Sequence, residues 1–106
     1  MDRQTLSSLL EMSPVVAAVK DDEGLSRALA SDCRAVFALY GDVIRIADIA
    51  DRIKRSGRAA FVHIDLIDGL SAKEAAVDYL IERTAADGVI STKQALIRHA
   101  KARGLM

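Results

Sequence analysis

The segment Phe61-Val-His-Ile-Asp-Leu-Ile-Asp-Gly69, followed one helical pattern later by Asp87-Gly-Val-Ile-Ser-Thr-Lys93, constrains the fold more than any other part of the chain. Each segment holds an apolar run too short for a helix and ends it in polar groups. A helical pattern follows each, Ser71 to Thr84 and then Thr92 to Arg103, so both read as strands of βα units in a parallel sheet. Parallel sheets bind ligands outside the carboxyl ends of their strands. His63, Asp65, Asp68, Ser91, Thr92 and Lys93 fall there, which makes them the first functional candidates.

The same reading extends upstream. Pro14 to Val19 is the first predicted strand, and Asp21 or Asp22 can cap a helix carrying Leu25, Ala28 and Leu29. Ala35 to Tyr40 is the second, with Gly41-Asp42 as the turn before a helix whose apolar stripe is Ile46, Ile49 and Ile53. Gly57 stops that helix. Ala59 to Ile64 is the third strand, and Ser71 with Glu74 forms a capping-box signature for a helix bearing Ala75, Val77, Tyr79 and Leu80. Gly88 to Ile90 is the fourth, with Ser91 or Thr92 capping a helix that carries Leu96, Ile97 and Ala100. Repeats of roughly 20 to 27 residues suit βα units with right-handed crossovers.

The expected fold is therefore an α/β, (βα)n parallel TIM-like barrel, a single partial domain over residues 1–106. Four units make half of the eight-stranded barrel, and a half-barrel leaves apolar strand edges and an uncovered inner face. Gly104-Leu-Met106 reads as a helix stop followed by the first residues of a further strand.

Composition narrows the partners. Apolar residues make up 51% of the chain, enough for a core, and the formal charge is +0, so no global field draws it to a polyanion or a membrane. The lone Cys33 can form no intramolecular disulfide, and no Cys/His cluster suggests a metal. Met1 to Met12 places Leu6, Leu9 and Leu10 at helical spacing, but Asp2, Glu11 and the want of a long apolar run argue against a signal peptide. No stretch approaches the roughly 18 apolar residues of a spanning helix, and a cytoplasmic location is expected. Nucleophile-elbow, P-loop and GxGxxG motifs are missing, so neither cofactor nor resident metal is expected.

Charges are sorted by their place in each unit. Asp21, Asp22, Glu23, Asp42, Asp65 and Asp68 lie at strand exits, whereas Arg52, Lys54, Arg55, Arg58, Lys101 and Arg103 lie at helix ends. The helix macrodipole favours such an arrangement by about 0.3–1 kcal/mol per charge. A functional reading assigns the six cations to a phosphate backbone, with an affinity that falls steeply with salt.

His63 and Asp65, two apart on one predicted strand, point to the same face. They form either a pair in which the acid fixes the imidazole tautomer or a satisfied polar layer. Asp42, Asp65 and Asp68 offer oxygens of the kind Mg²⁺ takes, without a diagnostic spacing. Lys20 and Lys93 are cations on an otherwise acidic face, and Ser91 and Thr92 add hydroxyls and the free N–H groups of a helix start. An ordinary N-cap beside a solvated lysine explains the same residues without a ligand. Tyr40 is the only aromatic near a strand exit, so no base-stacking platform is evident.

Four stretches in register, Ala18-Val-Lys-Asp-Asp-Glu-Gly-Leu25, Leu39-Tyr-Gly-Asp-Val43, Phe61 to Gly69 and Gly88-Val-Ile-Ser-Thr-Lys93, resemble the glycerol-3-phosphate responsive antiterminator family. The resemblance implies a TIM-like barrel that regulates and does not catalyse. Such a protein senses glycerol 3-phosphate and binds leader mRNA, so that polymerase reads through a terminator into glycerol-utilisation genes. Taken with the strand-exit and helix-end readings above, the ligand is expected at Lys20, Asp42, His63, Asp65, Ser91, Thr92 and Lys93, and RNA on Arg52, Lys54, Arg55, Arg58, Lys101 and Arg103.

Family members continue through later strands, and phosphate-binding barrels commonly hold phosphate at the loops after strands 7 and 8. The residues at hand would then recognise the glycerol end, and a homodimer could close the barrel. Two rival readings are a barrel enzyme acting on a phosphorylated substrate, with His63 and Asp65 as acid and base, and a dimerising scaffold without a small ligand.

Overall fold

The computed structural model describes residues 15–105. Four strands and four helices alternate: β1 Val16–Val19, α1 Asp22–Leu29, β2 Ala35–Ala38, α2 Ile46–Arg55, β3 Ala59–His63, α3 Glu74–Arg83, β4 Gly88–Ile90 and α4 Gln94–Ala102, with a 3₁₀ turn at Ile64–Leu66 after β3. The sheet is wholly parallel in the order β1-β2-β3-β4. This is the predicted α/β architecture, four consecutive βα units of a TIM-like fold. The predicted leucine spacing in Met1 to Met12 and the strand residue Pro14 lie outside the described residues, as does Met106.

Alternation along each strand divides the sheet into two faces. Val19, Val36, Ala38, Ala60, Val62 and Val89 point to the helices and pack with Leu25, Ile46, Ile49, Ile53, Val77, Leu80, Leu96 and Ala100 in one core. On α2 the buried positions Ile46, Ile49, Ala50 and Ile53 follow the helical period, and full burial of each isoleucine stabilises by roughly 1.5–3 kcal/mol. The other face carries a smaller cluster of Ala35, Ala59 and Phe61, against which Phe37 and Ile90 pack. The Phe37 and Phe61 rings meet edge to face with centroids 5.2 Å apart. On this face Ala35, Ala59 and Phe61 are buried, Phe37 and Ile90 are half-buried, and Val15 and Val16 at the β1 edge are exposed. The sequence predicted that this inner face would be uncovered, yet Ala35, Ala59 and Phe61 on it are at most 8% exposed.

Local signals decide where helices begin. Asp21 is the N-cap of α1, its carboxylate accepting from Gly24 N at 2.6 Å. Asp42 Oδ1 accepts from Ile44 N at 3.0 Å and Arg45 N at 2.8 Å, which shapes the turn ahead of α2. The predicted capping box of Ser71 and Glu74 does not form: Lys73 is extended at the N-cap and Glu74 is the first helical residue, two positions short of the place from which it could reach back. The buried stripe of α3 is Ala76, Val77 and Leu80, with the predicted Ala75 exposed. Likewise α4 starts at Gln94 and not at Thr92, because Ser91 Oγ accepts from Lys93 N at 3.0 Å and spends itself on the bend before the helix.

Candidate functional site

All the predicted ligand residues lie at the carboxyl end of the sheet. Lys20 follows β1, Asp42 follows β2, His63 ends β3, Asp65 sits in the 3₁₀ turn, and Ser91, Thr92 and Lys93 follow β4. Their loops are zipped together by backbone. Val43 N donates to Asp68 O at 2.8 Å and Asp68 N to Gly41 O at 3.0 Å, a parallel bridge that extends the β2–β3 pairing past the strand ends. Gly41 and Gly69 make this possible with φ of +107° and +88°, and a Cβ on Gly69 would stand 2.8 Å from Val43 Cγ1.

Asp65 is the hub on the β3–β4 side. It accepts from Thr92 N at 3.0 Å, Thr92 Oγ1 at 2.9 Å and Ser91 Oγ at 3.0 Å. Those bonds, led by the Thr92 backbone and opposed in part by burial, hold its carboxyl below the ordinary aspartate range, with the nearby His63 adding a smaller pull. Two sequence expectations change here. The chain leaves extended geometry at Ile64, so His63 and Asp65 do not share a strand face, and Asp65 spends its oxygens on Ser91 and Thr92. The predicted free N–H of Thr92 is already taken by that carboxylate.

His63 is the opposite case. It follows Ala59 and Phe61 in the strand alternation, on the face of the smaller cluster, and its Nδ1 is buried without a hydrogen-bond partner. An unmet polar atom in such a place costs about 1–3 kcal/mol, and in native proteins it marks a strained, wet or ligand-filled position. Lys20 and Lys93 are exposed beside these loops; Lys93 Nζ reaches Ala72 O at 3.5 Å, while Lys20 has no side-chain partner among the described residues. Ile44, 83% exposed, and Leu66, 49% exposed, add an apolar rim at the strand exits. Asp42, Asp65 and Asp68 do not gather as metal ligands: no group of three His, Cys, Asp or Glu suited to an ion exists among the described residues.

A polar cluster that the sequence did not reveal stands on the β1–β2 side of the same end. Asp22 accepts from Tyr40 Oη at 2.7 Å, and Arg45 Nη2 donates to both its oxygens at 2.9 and 2.8 Å. The Tyr40 bond, followed by Arg45, lowers the Asp22 carboxyl, while burial and then Asp22 push the Tyr40 hydroxyl far up. The partners are 18 and 23 residues apart, and no local motif links them.

The six basic residues assigned to RNA are not equally available. Lys54 Nζ binds Asp87 at 2.8 and 3.0 Å in a largely buried pair. Arg58 donates to three carbonyls, those of Cys33, Ser56 and Ser31, and so staples the loops before β2 and β3. Arg103 pairs with Asp78 and Glu82, Arg55 with Asp51, and Arg52 donates to Ser26 Oγ at 2.9 Å. Lys101 is exposed and has no side-chain partner among the described residues. A polar notch of about 370 Å³ lined by Ser31, Asp32, Cys33, Arg34, Ser56, Gly57 and Arg58 lies at this strand-start end, away from the ligand residues.

Comparison with known proteins places this architecture. The profile of the family described as "Glycerol-3-phosphate responsive antiterminator" matches residues 15–106, nearly the whole chain. The chain belongs to the glycerol-3-phosphate responsive antiterminator family. A relative, the uncharacterized protein YgcP of Escherichia coli (strain K12), is 43% identical over 99 residues, covering 93% of this chain and 52% of its own.

Among solved structures, the glycerol uptake operon antiterminator regulatory protein from Listeria monocytogenes superposes with a TM-score of 0.82 at 23% identity, over 88% of this chain and 51% of that one. A glycerol uptake operon antiterminator-related protein from Thermotoga maritima gives 0.76 at 26% identity, over 87% and 51%. The chain thus spans about half the length of the relatives it matches.

Proposed function

We propose that this chain is a glycerol-3-phosphate responsive transcription antiterminator, acting on leader mRNA to regulate glycerol-utilisation genes in the cytoplasm. The observation that carries the reading is the family match over residues 15–106, and the strand-exit geometry supports it. A small polyol phosphate needs hydroxyl partners and a cation. The unmet His63 Nδ1, the loop frame held by Asp65, Ser91 and Thr92, the Asp42 turn and the flanking Lys20 and Lys93 provide that chemistry at one end of the sheet. Ligand favours one arrangement of these loops, RNA prefers the same arrangement, and each therefore tightens the other. The enzyme reading has less support, since Asp65 is committed to Ser91 and Thr92 and does not orient His63.

In this proposal residues 1–106 act as one partial barrel domain. Two copies, each with four described strands, would supply the eight that closure requires and cover the half-buried Phe37 and Ile90. A strictly monomeric chain in sedimentation overturns that homodimer.

Thermal-shift titration with glycerol 3-phosphate tests the central reading, with glycerol and inorganic phosphate as controls. A ligand at 100 times its Kd adds about 2.7 kcal/mol to the native state. A saturable rise specific to the ester is expected; no rise at millimolar ligand overturns the ligand assignment.

A further inference from the structure

Net positive charge in this chain is found at one end of the sequence. Residues 88–106 carry Lys93, Arg98, Lys101 and Arg103 with no Asp or Glu, so the formally neutral chain leaves a net −4 on residues 1–87. Among the described helices α4 alone lacks an acid: α1 has Asp22 and Glu23, α2 has Asp48 and Asp51, and α3 has Glu74, Asp78 and Glu82.

Packing divides the cations of α4 into two sets. His99 and Arg103 turn toward α3, where Asp78 accepts from His99 Nε2 at 2.8 Å and from Arg103, and where Glu74 and Glu82 stand within 4.0 Å of them. Leu96 and Ala100 turn into the core. At about 100° per residue, Arg98 falls opposite Leu96 and Ala100, with Lys101 close beside it on the next turn. Both are exposed and have no side-chain partner among the described residues. Their exposed helical neighbours are Gln94, Ala95 and Ala102, none of them acidic.

The macrodipole does not account for this set. It rewards a cation only in the last turn, which covers Lys101 but neither the mid-helix Arg98 nor Lys93, which stands at the positive end of the helix. We propose that the exposed face of α4, carried by Arg98 and Lys101, is the surface that holds the RNA backbone, in place of the ring of basic helix ends. The proposal rests on the antiterminator reading and names the surface that reading requires. Arg98 and Lys101 are separated by about 4.5 Å along the axis. The face has no aromatic side chain on which a base could stack, so its contacts position the phosphates and leave sequence choice to other groups.

Fluorescence anisotropy with a fluorescein-labelled single-stranded RNA of mixed sequence, over a salt series and with saturating glycerol 3-phosphate, tests it on the whole chain. The double variant R98E/K101E should lose affinity about tenfold or more at low salt, and its log–log salt slope should fall by about 1.4, near 0.7 for each lost phosphate contact. R52E/R55E, which changes the net charge by the same amount, should lose less, and the single reversal Arg27→Glu on α1 should stay within about twofold of wild type. Melting curves should confirm that every variant folds, since all of these side chains are exposed or half-exposed. RNA binding that survives R98E/K101E, or that R52E/R55E weakens more, overturns the inference and leaves the antiterminator reading in place. Absence of RNA binding by wild type with and without ligand overturns both.

Discussion

Lys54 Nζ lies 2.8 Å from Asp87 Oδ1, and the two side chains are only 19% and 5% exposed. Asp87 Oδ2 also accepts from Ala60 N at 2.8 Å, so one carboxylate ties the end of α2 to the start of β3 and to the loop before β4. A lysine that sequence position alone assigns to a basic surface is instead part of the frame.

Removing one partner of a buried pair leaves the other charge without compensation, at about 3–5 kcal/mol. Asp87→Ala should fall in that range, because it also strands the Ala60 N–H, and urea unfolding will measure it. Lys54→Met should cost less, since Asp87 keeps its backbone donor. Folded Lys54→Met should bind RNA as wild type does, and a loss of binding would return Lys54 to the RNA surface.

Asp65→Ala should loosen the loops after β3 and β4 by removing three hydrogen bonds, a loss of about 1–3 kcal/mol. Because the folded carboxyl is held below its ordinary value, its stabilisation is present above the unfolded pKa and disappears as pH falls through the folded one. The gap between wild type and Asp65→Ala in thermal melts should therefore be wide at neutral pH and shrink below about pH 4. A gap independent of pH would count against charge-assisted bonding.

Asp78 joins α3 to α4 through His99 and Arg103, and the bond from His99 is the main cause of its lowered carboxyl. The sign is the same as for Asp65: stability is present above the unfolded carboxyl pKa and is lost on acidification through the lower folded value. Asp78→Asn should depress the melting temperature most near pH 7, and the depression should shrink as pH falls below the unfolded carboxyl value of about 4. A depression that does not change with pH is the contrary result and would show that packing, and not charge, is what the side chain supplies.

Gly69→Ala and Gly57→Ala separate backbone conformation from crowding. Both positions have positive φ, +88° and +85°, which costs a residue with a Cβ about 1–2 kcal/mol. At Gly57 nothing stands within 4 Å of the added carbon, whereas at Gly69 Val43 Cγ1 stands at 2.8 Å. Gly69→Ala should be the more destabilising in denaturant melts and should also weaken glycerol 3-phosphate binding. Equal losses would mean that Val43 yields freely.

Strand order and helix placement were legible because periodicity is local: four short apolar runs alternate with stripes such as Ile46, Ile49 and Ile53. Caps were legible where the competing donor was near, as at Asp21, and illegible where it was not. Ser71 and Ser91 read as caps in sequence, yet each helix starts a few residues later, at Glu74 and Gln94. The site shows the same division. That His63, Asp65, Ser91 and Thr92 would gather at one end follows from parallel topology alone. That Asp65 would take the Thr92 N–H, and that Arg45 and Tyr40 would converge on Asp22, depends on contacts between units. The charges of Lys54, Arg58 and Arg103 were visible, but their partners at Asp87, Ser31 and Asp78 were not.

The plain strand order has a consequence for how the molecule is made. Each strand pairs with the one before it, Val16 with Ala35, Ala35 with Ala59 and Phe61 with Gly88, so every pairing closes a loop of similar, modest size. Nothing early in the chain must wait for a distant segment, and contact order stays low for a parallel sheet. A chain emerging from the ribosome can therefore dock one βα unit after another onto a growing edge. Such growth finishes with α4 laid against β4, whose outer edge pairs with none of the described strands.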